Sequence, residues 1–382
     1  MDIHVLIGGK MKKIISAILL LSVFLSLLCG CADKKEPYVI ACGEFGITEK
    51  QYDYWLAYYK TKFLNTFLQS GTVTESDYTE DFWDTEISER SLYELTKEQA
   101  ESYISDIVIC LALYDEYKLG EIEGAEEQIE ISIDQFIDED IKSAGSRSAL
   151  NKHLSEYKLN IKQLREIYEF EIKRTMVEDY LYGELGTDKV TDEDRDNYYR
   201  ENYVRVKHVL VNTKDKYVLD DKGERIMDPS TGYYKTEKLT NEEIATKTTL
   251  AAEIFEKAQS GEDFEKLIEK YGEDEGMTYY TDGYFLTKSS PYEENFLNAS
   301  FDMKDGEIKS VTSAYGIHIM KKYALEDGGY KKEVNENFFA ELDSEIISQK
   351  KKNKFSEKSV NITAVCEADD FKAYVIMDDS LL

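Results

Sequence analysis

The spacing of apolar residues changes period twice along this chain, and that double switch constrains the fold more than any other feature. Up to about Asn202 they recur every three or four residues, the mark of helices with one buried face. From Arg205 to Val211 charged and apolar residues alternate, as in a half-buried strand, and after Asn335 helical spacing returns to about Lys354. A segment of one architecture is thus set inside a chain of another. The expected fold class is α+β: a mostly helical domain made from the N- and C-terminal segments together, with an inserted domain in which a small antiparallel sheet packs with helices.

The flanking segments carry clear punctuation. A strand-like run from Val39 to Phe45 precedes Thr48-Glu49-Lys50-Gln51, which reads as a capping box opening a helix through the aromatic stretch to Phe67. Further helices are predicted from about Ser88 to Tyr117 and from Ala125 to Ser143, with Gly145-Ser146 closing the latter. Asn160 and Gln163 form a second capping pair. Beyond them Ile161, Leu164, Tyr168, Ile172, Met176 and Tyr180 fall on one face of the clearest amphipathic helix. Inside the insert, Thr213 to Leu239 is polar and turn-rich and reads as an exposed loop or hairpin. Helices follow near 241–260, 263–271 and 293–299, then a strand at 316–323. Residues 360–375 again look strand-like.

The N-terminus reads as a targeting signal. Lys12 and Lys13 precede an apolar run from Ile14 to Cys29 that is short for a span of roughly 20 residues. It ends in Leu28-Cys29-Gly30-Cys31, which resembles a bacterial lipobox with Cys31 as the lipidated residue. Met11 is the expected initiator, residues 1–30 the signal, and 31–37 a short tether. Cleavage would remove three lysines and one aspartate, taking the net charge from −30 to −32. That acidity argues against nucleic acid as a partner. Beyond Cys31 only Cys42, Cys110 and Cys366 remain, an odd number without zinc-ligand spacing, so buried thiols are expected ahead of a Cys42–Cys366 bridge.

Within the insert, a series of short motifs appears in one order: Lys207-His208-Val209-Leu210-Val211, then Gly261-Glu262-Asp263-Phe264, then Tyr271-Gly272-Glu273-Asp274. Gly283-Tyr284-Phe285, Phe296 to Phe301, Gly306-Glu307 and Tyr315-Gly316-Ile317-His318-Ile319 complete it. This series resembles the parvulin family of prolyl isomerases. The segment from Tyr38 to Tyr203 looks like the N-terminal chaperone domain of PrsA- and SurA-type foldases, and with the lipobox the arrangement is most similar to PrsA-type foldase lipoproteins. The resemblance implies a helical chaperone-like domain at 38–202, a parvulin-like domain at 203–325 and a return of residues 326–382 to the first. It also implies an extracytoplasmic, lipid-anchored location, and secreted or unfolded protein clients with X-Pro bonds.

Rotation about an amide C–N bond is opposed by roughly 18–20 kcal/mol of resonance. Accelerating it requires a site that binds the twisted amide better than either planar form, and neither a nucleophile, a metal nor a cofactor. By position, the resemblance makes Phe296 the floor of the proline pocket and puts Tyr292 on its wall. Asp274 stands where the family carries Cys or Asp. His208 and His318 match the central histidine pair, with Ser313 as their hydroxyl partner. For either histidine alone a satisfied core role is the simpler reading, and His153 has no partner motif that would suggest a metal site.

Two departures from the family pattern stand out. Tyr280-Thr281-Asp282-Gly283 places an acid where the family has leucine, which would make Asp282 part of a more polar substrate pocket. The stretch from Phe285 to Phe296 is also long, which bears on where Tyr292 falls. These motivate a second expectation, a non-catalytic binding chaperone using the parvulin domain as a scaffold. The loop after the first strand interleaves Lys214, Lys216, Lys222 and Arg225 with four acids, so no phosphate clamp is expected. A homodimer is an open option.

Overall fold

The computed structural model describes residues 36–71, 80–364, 366–373 and 376–377. The expected signal segment and Cys31 lie outside the described residues. Among those described, no helix is long and apolar enough to cross a membrane. The chain divides into two compact units, one built from both of its ends (to Lys189 and again from Lys350) and one formed by Val190–Gln349.

In the first unit a small antiparallel sheet runs in the order Asn361–Ile362, Tyr38–Cys42, Phe45–Thr48. Ile40 lies opposite both Ile47 and Ile362, so the two ends of the chain close one sheet. The helix Glu49–Gln69 starts where the capping pair predicts, with the Gln51 side chain accepting from the Thr48 amide at 2.8 Å. Helices Leu92–Glu116, Ala125–Ser143, Arg147–Glu156 and Ile161–Tyr182 follow. Asn160 caps the last of these by accepting from the amides of Lys162 and Gln163.

That helix is buried over a wider arc than its one-face pattern predicts. Ile161, Leu164 and Ile172 are buried, but so are Ile167, Val177 and Leu181, while Tyr168, Met176 and Tyr180 are only partly covered. The reason is that it packs against three neighbours, mainly Leu92–Glu116 and Ala125–Ser143 and also Arg147–Glu156. Tyr168 uses its position at the edge of the buried arc to donate to Asp140 at 2.5 Å. The strand expected over 360–375 is a correction: among the described residues of that stretch the strand is Asn361–Ile362, and Ala368–Ala373 is a helix that opens with Asp369 and Asp370 in its first turn and buries Phe371 fully. Cys42, Cys110 and Cys366 are buried thiols.

The second unit is built on a four-stranded antiparallel sheet. Its order is Tyr284–Leu286, Val204–Asn212, Gly316–Tyr323, Ile308–Thr312. The central pair is in register with His318 opposite Leu210 and Met320 opposite His208. Because side chains alternate across a sheet, this register sorts the two strands into two faces. Val209, Val211 and Ile319 point to one face and are covered by helices Asn241–Gln259 and Phe264–Tyr271 through Ile254, Ala258 and Leu267. Val206, His208, Leu210, His318 and Met320 point to the other. There Phe296 and Ala299 of helix Glu294–Asp302, with Met303 just past its end, cover the apolar part.

This unit is wider than 203–325. Helix Asp192–Asn202 and the segment after Tyr323 wrap one end of the sheet, where Tyr199, Tyr203, Phe285, Tyr330, Phe339 and Leu342 form a single buried cluster. Thr213 to Leu239 is a hairpin, with Asp215–Tyr217 paired to Thr236–Lys238.

Candidate active site

The polar part of the second face is a hydrogen-bonded row of side chains beneath a cavity of about 350 Å³. His208 and His318 stack with centroids 5.0 Å apart and planes 18° apart, and their Nδ1 atoms are 2.8 Å from each other. The two are diagonal neighbours across the central strand pair, which brings two ring-bearing residues on one face within reach. His208 Nε2 lies 2.7 Å from Asp274 Oδ2, and His318 Nε2 lies 2.7 Å from Ser313 Oγ. Tyr284 donates its hydroxyl to the same Asp274 oxygen at 2.8 Å, and the Gly276 amide donates to the other oxygen at 2.9 Å. At the far end the Tyr315 amide donates to Ser313 Oγ at 3.0 Å.

With both rings neutral, one arrangement of protons satisfies the whole row. Asp274 can only accept, so His208 donates from Nε2 and must accept at Nδ1. His318 therefore donates from Nδ1 and accepts at Nε2 from the Ser313 hydroxyl. The charge distribution agrees. Burial alone would raise the Asp274 carboxyl, but the hydrogen bond from His208, then the Tyr284 hydroxyl and the Gly276 amide, hold it down at about 2. Burial, followed by the neighbouring His208, pushes His318 down to about 3, against the opposing pull of Asp274. The row thus holds one fixed negative charge at the Asp274 end and a neutral imidazole at the other.

Local structure sets each of these groups. Gly276 is required by close approach, since a Cβ there would sit 1.9 Å from the Tyr284 hydroxyl and break its contact with Asp274. Gly283 has φ +98° and brings the chain against Val206, at the start of the Tyr284–Leu286 strand. The Glu293 carboxylate accepts from the Phe296 amide at 3.1 Å and caps helix Glu294–Asp302, fixing where Phe296 enters the core.

Phe296 is 3% exposed and sits with its ring 5.0 Å from each imidazole. Tyr292 stacks on Phe296 at 5.9 Å and 25° and touches Tyr284 at 5.3 Å, so it reaches the cavity despite the long stretch before it. The cavity lining brings together His208, Asp274, Tyr292, Phe296 and His318 of the sequence-predicted set, and Ser313 joins through His318.

Asp282 stands apart from them. Its carboxylate accepts from Lys332 Nζ at 2.8 Å and Asn335 Nδ2 at 3.1 Å, and lies 3.7 Å from the buried Arg205 guanidinium. Arg205 also donates to the Asp282 carbonyl at 2.6 Å and pairs with Glu326. The acid at 282 meets the buried Arg205 and the partly exposed Lys332 there, outside the cavity lining, and it makes the cavity no more polar. Tyr284 is the residue that sequence reasoning passed over. It lines the cavity and fixes Asp274, yet nothing in a single sequence marks a tyrosine on a short strand as facing a carboxylate ten residues earlier.

Residues 194–324 match the family model of the PPIC-type PPIase domain. The second unit contains a PPIC-type PPIase domain. The match covers the four-stranded sheet and both sides of the cavity. Foldase protein PrsA of Bacillus subtilis is 35% identical to the chain over 108 residues, 28% of this chain and 35% of the relative. Foldase protein PrsA 3 of Bacillus anthracis is 27% identical over 240 residues, 62% of this chain and 65% of the relative. The chain thus spans between about a third and just under two thirds of the length of these curated relatives. A crystal structure titled peptidylprolyl isomerase (PrsA) from Bacillus cereus aligns over 75% of this chain and 92% of its own at 21% identity, with a TM-score of 0.29, a likeness too loose to build on. Among the described residues no group of three or more His, Cys, Asp or Glu side chains is disposed to hold a metal ion. The row of Tyr284, Asp274, His208, His318 and Ser313, with Phe296 beside it, lies within the residues that match this family model.

Proposed function

We propose that the chain is an extracytoplasmic foldase that isomerises X-Pro bonds in unfolded secreted proteins. In this reading the first unit holds client chains and Cys31 carries the lipid that anchors the protein to the outer face of the cell membrane. The observation that carries the reading is the continuous hydrogen-bonded row beneath an aromatic-floored cavity inside a PPIC-type domain.

The chemistry follows from what resonance does to an amide. In the planar form the oxygen carries partial negative charge and the nitrogen partial positive charge, and twisting about C–N removes both. A proline ring held against Phe296 and Tyr292 places the peptide bond among rings that solvate charge poorly, which raises the planar forms relative to the twisted one. Asp274, kept ionised by His208 and Tyr284, repels the partial negative charge of a planar amide oxygen turned toward it. Both effects act only while the amide is planar, so they lower the barrier rather than merely tighten binding. The neutral, doubly bonded His318 and the Ser313 hydroxyl keep the rings rigid and add no competing charge.

Uncatalysed X-Pro exchange takes tens to hundreds of seconds. The full chain is expected to shorten the proline-limited slow phase of a refolding client protein by about tenfold or more while leaving its fast phases unchanged. That would bring a phase of roughly a hundred seconds down to about ten. A client that binds the chain yet refolds at its unassisted slow rate would contradict the proposal.

A further inference from the structure

The hairpin between the first sheet strand and the next helix has an apolar face that the isomerase chemistry does not use. Its register is Tyr217 opposite Thr236, Leu219 opposite Arg225 and Met227 opposite Tyr234. Alternation therefore gathers Tyr217, Leu219, Arg225, Met227 and Tyr234 on one side. On that side Leu219 and Met227 are 54% and 55% exposed, and Tyr217 and Tyr234 are 41% and 45% exposed. So much large apolar surface on one small face marks a binding surface.

The face is held rigid and tied to the cavity at two points. The Arg225 guanidinium lies 4.0 Å from the Tyr217 ring centroid and 5.5 Å from that of Tyr234, and pairs with Glu275 at 2.6 Å. Glu275 adjoins Asp274 in the chain. At the hairpin base the Thr213 amide donates to the Tyr315 carbonyl at 3.2 Å, and Lys214 lies 5.1 Å over the Tyr315 ring, which lines the cavity. The hairpin is thus tied to the cavity rim at Tyr315, and through Glu275 to the residue next to Asp274.

We propose that this hairpin face is a docking ledge for an extended, unfolded polypeptide, binding aromatic and aliphatic side chains that flank a proline seated over Phe296. The inference rests on the isomerase reading of the cavity. Tyrosine rings and a methionine suit varied apolar side chains. Arg225 and Lys216 are already engaged by Glu275, Glu237 and Glu243, so the ledge has no cationic clamp to offer a phosphorylated segment. A second copy of a chain with net charge −30 is opposed by like-charge repulsion.

The test is a Leu219→Ser, Met227→Ser double variant of the full chain, which leaves the Arg225 stack intact. Three quantities are compared with the parent: isomerisation of a four-residue Ala-Pro peptide with no aromatic or aliphatic residue longer than alanine flanking the proline, binding of a fluorescently labelled, permanently unfolded protein by anisotropy, and oligomeric state by sedimentation. The ledge predicts peptide kcat/KM within twofold of the parent and a Kd for the unfolded protein at least fivefold weaker. An unchanged Kd would overturn it, as would a parent dimer that the double variant dissolves, since the face would then be covered by a second copy. Absence of peptide catalysis in the parent would remove the isomerase reading, while the anisotropy arm would still decide whether the hairpin binds unfolded chain.

Discussion

Replacing Phe296 with alanine is expected to lower kcat/KM for X-Pro isomerisation by about 100-fold, the largest effect of any single change at the site. The proline ring would lose a wall that a buried phenylalanine provides. Burying such a side chain contributes roughly 1.5–3 kcal/mol, equivalent to about 10- to 150-fold in rate. The same ring contacts both imidazoles at 5.0 Å, so its removal also loosens the row beneath. The substitution further empties a core position, which typically costs about 3–5 kcal/mol of stability. Phe296→Leu separates the two effects. It keeps most of the volume and is expected to cost roughly 1 kcal/mol in stability, yet it removes the flat ring face and should still lower kcat/KM by about tenfold, near 1.4 kcal/mol in barrier. Peptide kinetics paired with thermal melts of both variants check this. Full activity in a folded Phe296→Leu protein would mean the ring is core packing alone.

The second large effect is on stability against pH. His318 titrates at about 3 in the folded protein, from an ordinary 6.5, because burial and then His208 oppose its charge. Between those values the unfolded chain binds a proton that the folded chain refuses, so stability falls as pH falls, by about 1.4 kcal/mol for each unit. By pH 4 this one group removes about 3 kcal/mol relative to pH 7. Asp274 acts in a lower window. Its folded value of about 2 lies below the ordinary 3.8, so its contribution of about 2 kcal/mol is present above pH 4 and is lost as pH falls through 2. Urea unfolding at pH 7, 6, 5 and 4 should show the slope, and His318→Asn should flatten it. An unchanged slope in that variant would mean that His318 does not resist protonation as the structure implies.

How far the site could be read in advance depends on what kind of contact made it. His208 and His318 sit on strands whose alternation is visible in the sequence, and each falls on the face that also carries Val206 or Met320. Their parity was readable, but the diagonal register that stacks them comes from strand pairing, which no local pattern specifies. Phe296 was likewise placed by a short helix whose capping acid, Glu293, stands beside it in sequence. Asp282 was misread for the converse reason. Its partners Lys332 and Asn335 lie fifty residues away in a segment assigned to the other domain, so an acid in place of leucine looked like a change in the pocket. The same segment, through Tyr330, Phe339 and Leu342, widens the second unit beyond the period change at 202. Aromatic residues there suit a helix of either unit, and only packing decides between them. The C-terminal stretch misled because β-branched and apolar residues around 360–366 continue into Ala368–Ala373, where two acids at a helix start outweigh strand propensity.

Catalysis of X-Pro exchange is tested by exchange NMR of an Ala-Pro peptide with catalytic amounts of the full chain, run beside the Phe296→Leu protein. The cis–trans exchange rate is predicted to rise in proportion to the wild-type chain and to rise about tenfold less with the variant. An exchange rate that stays at its uncatalysed value in the presence of the folded wild-type chain would contradict the isomerase reading.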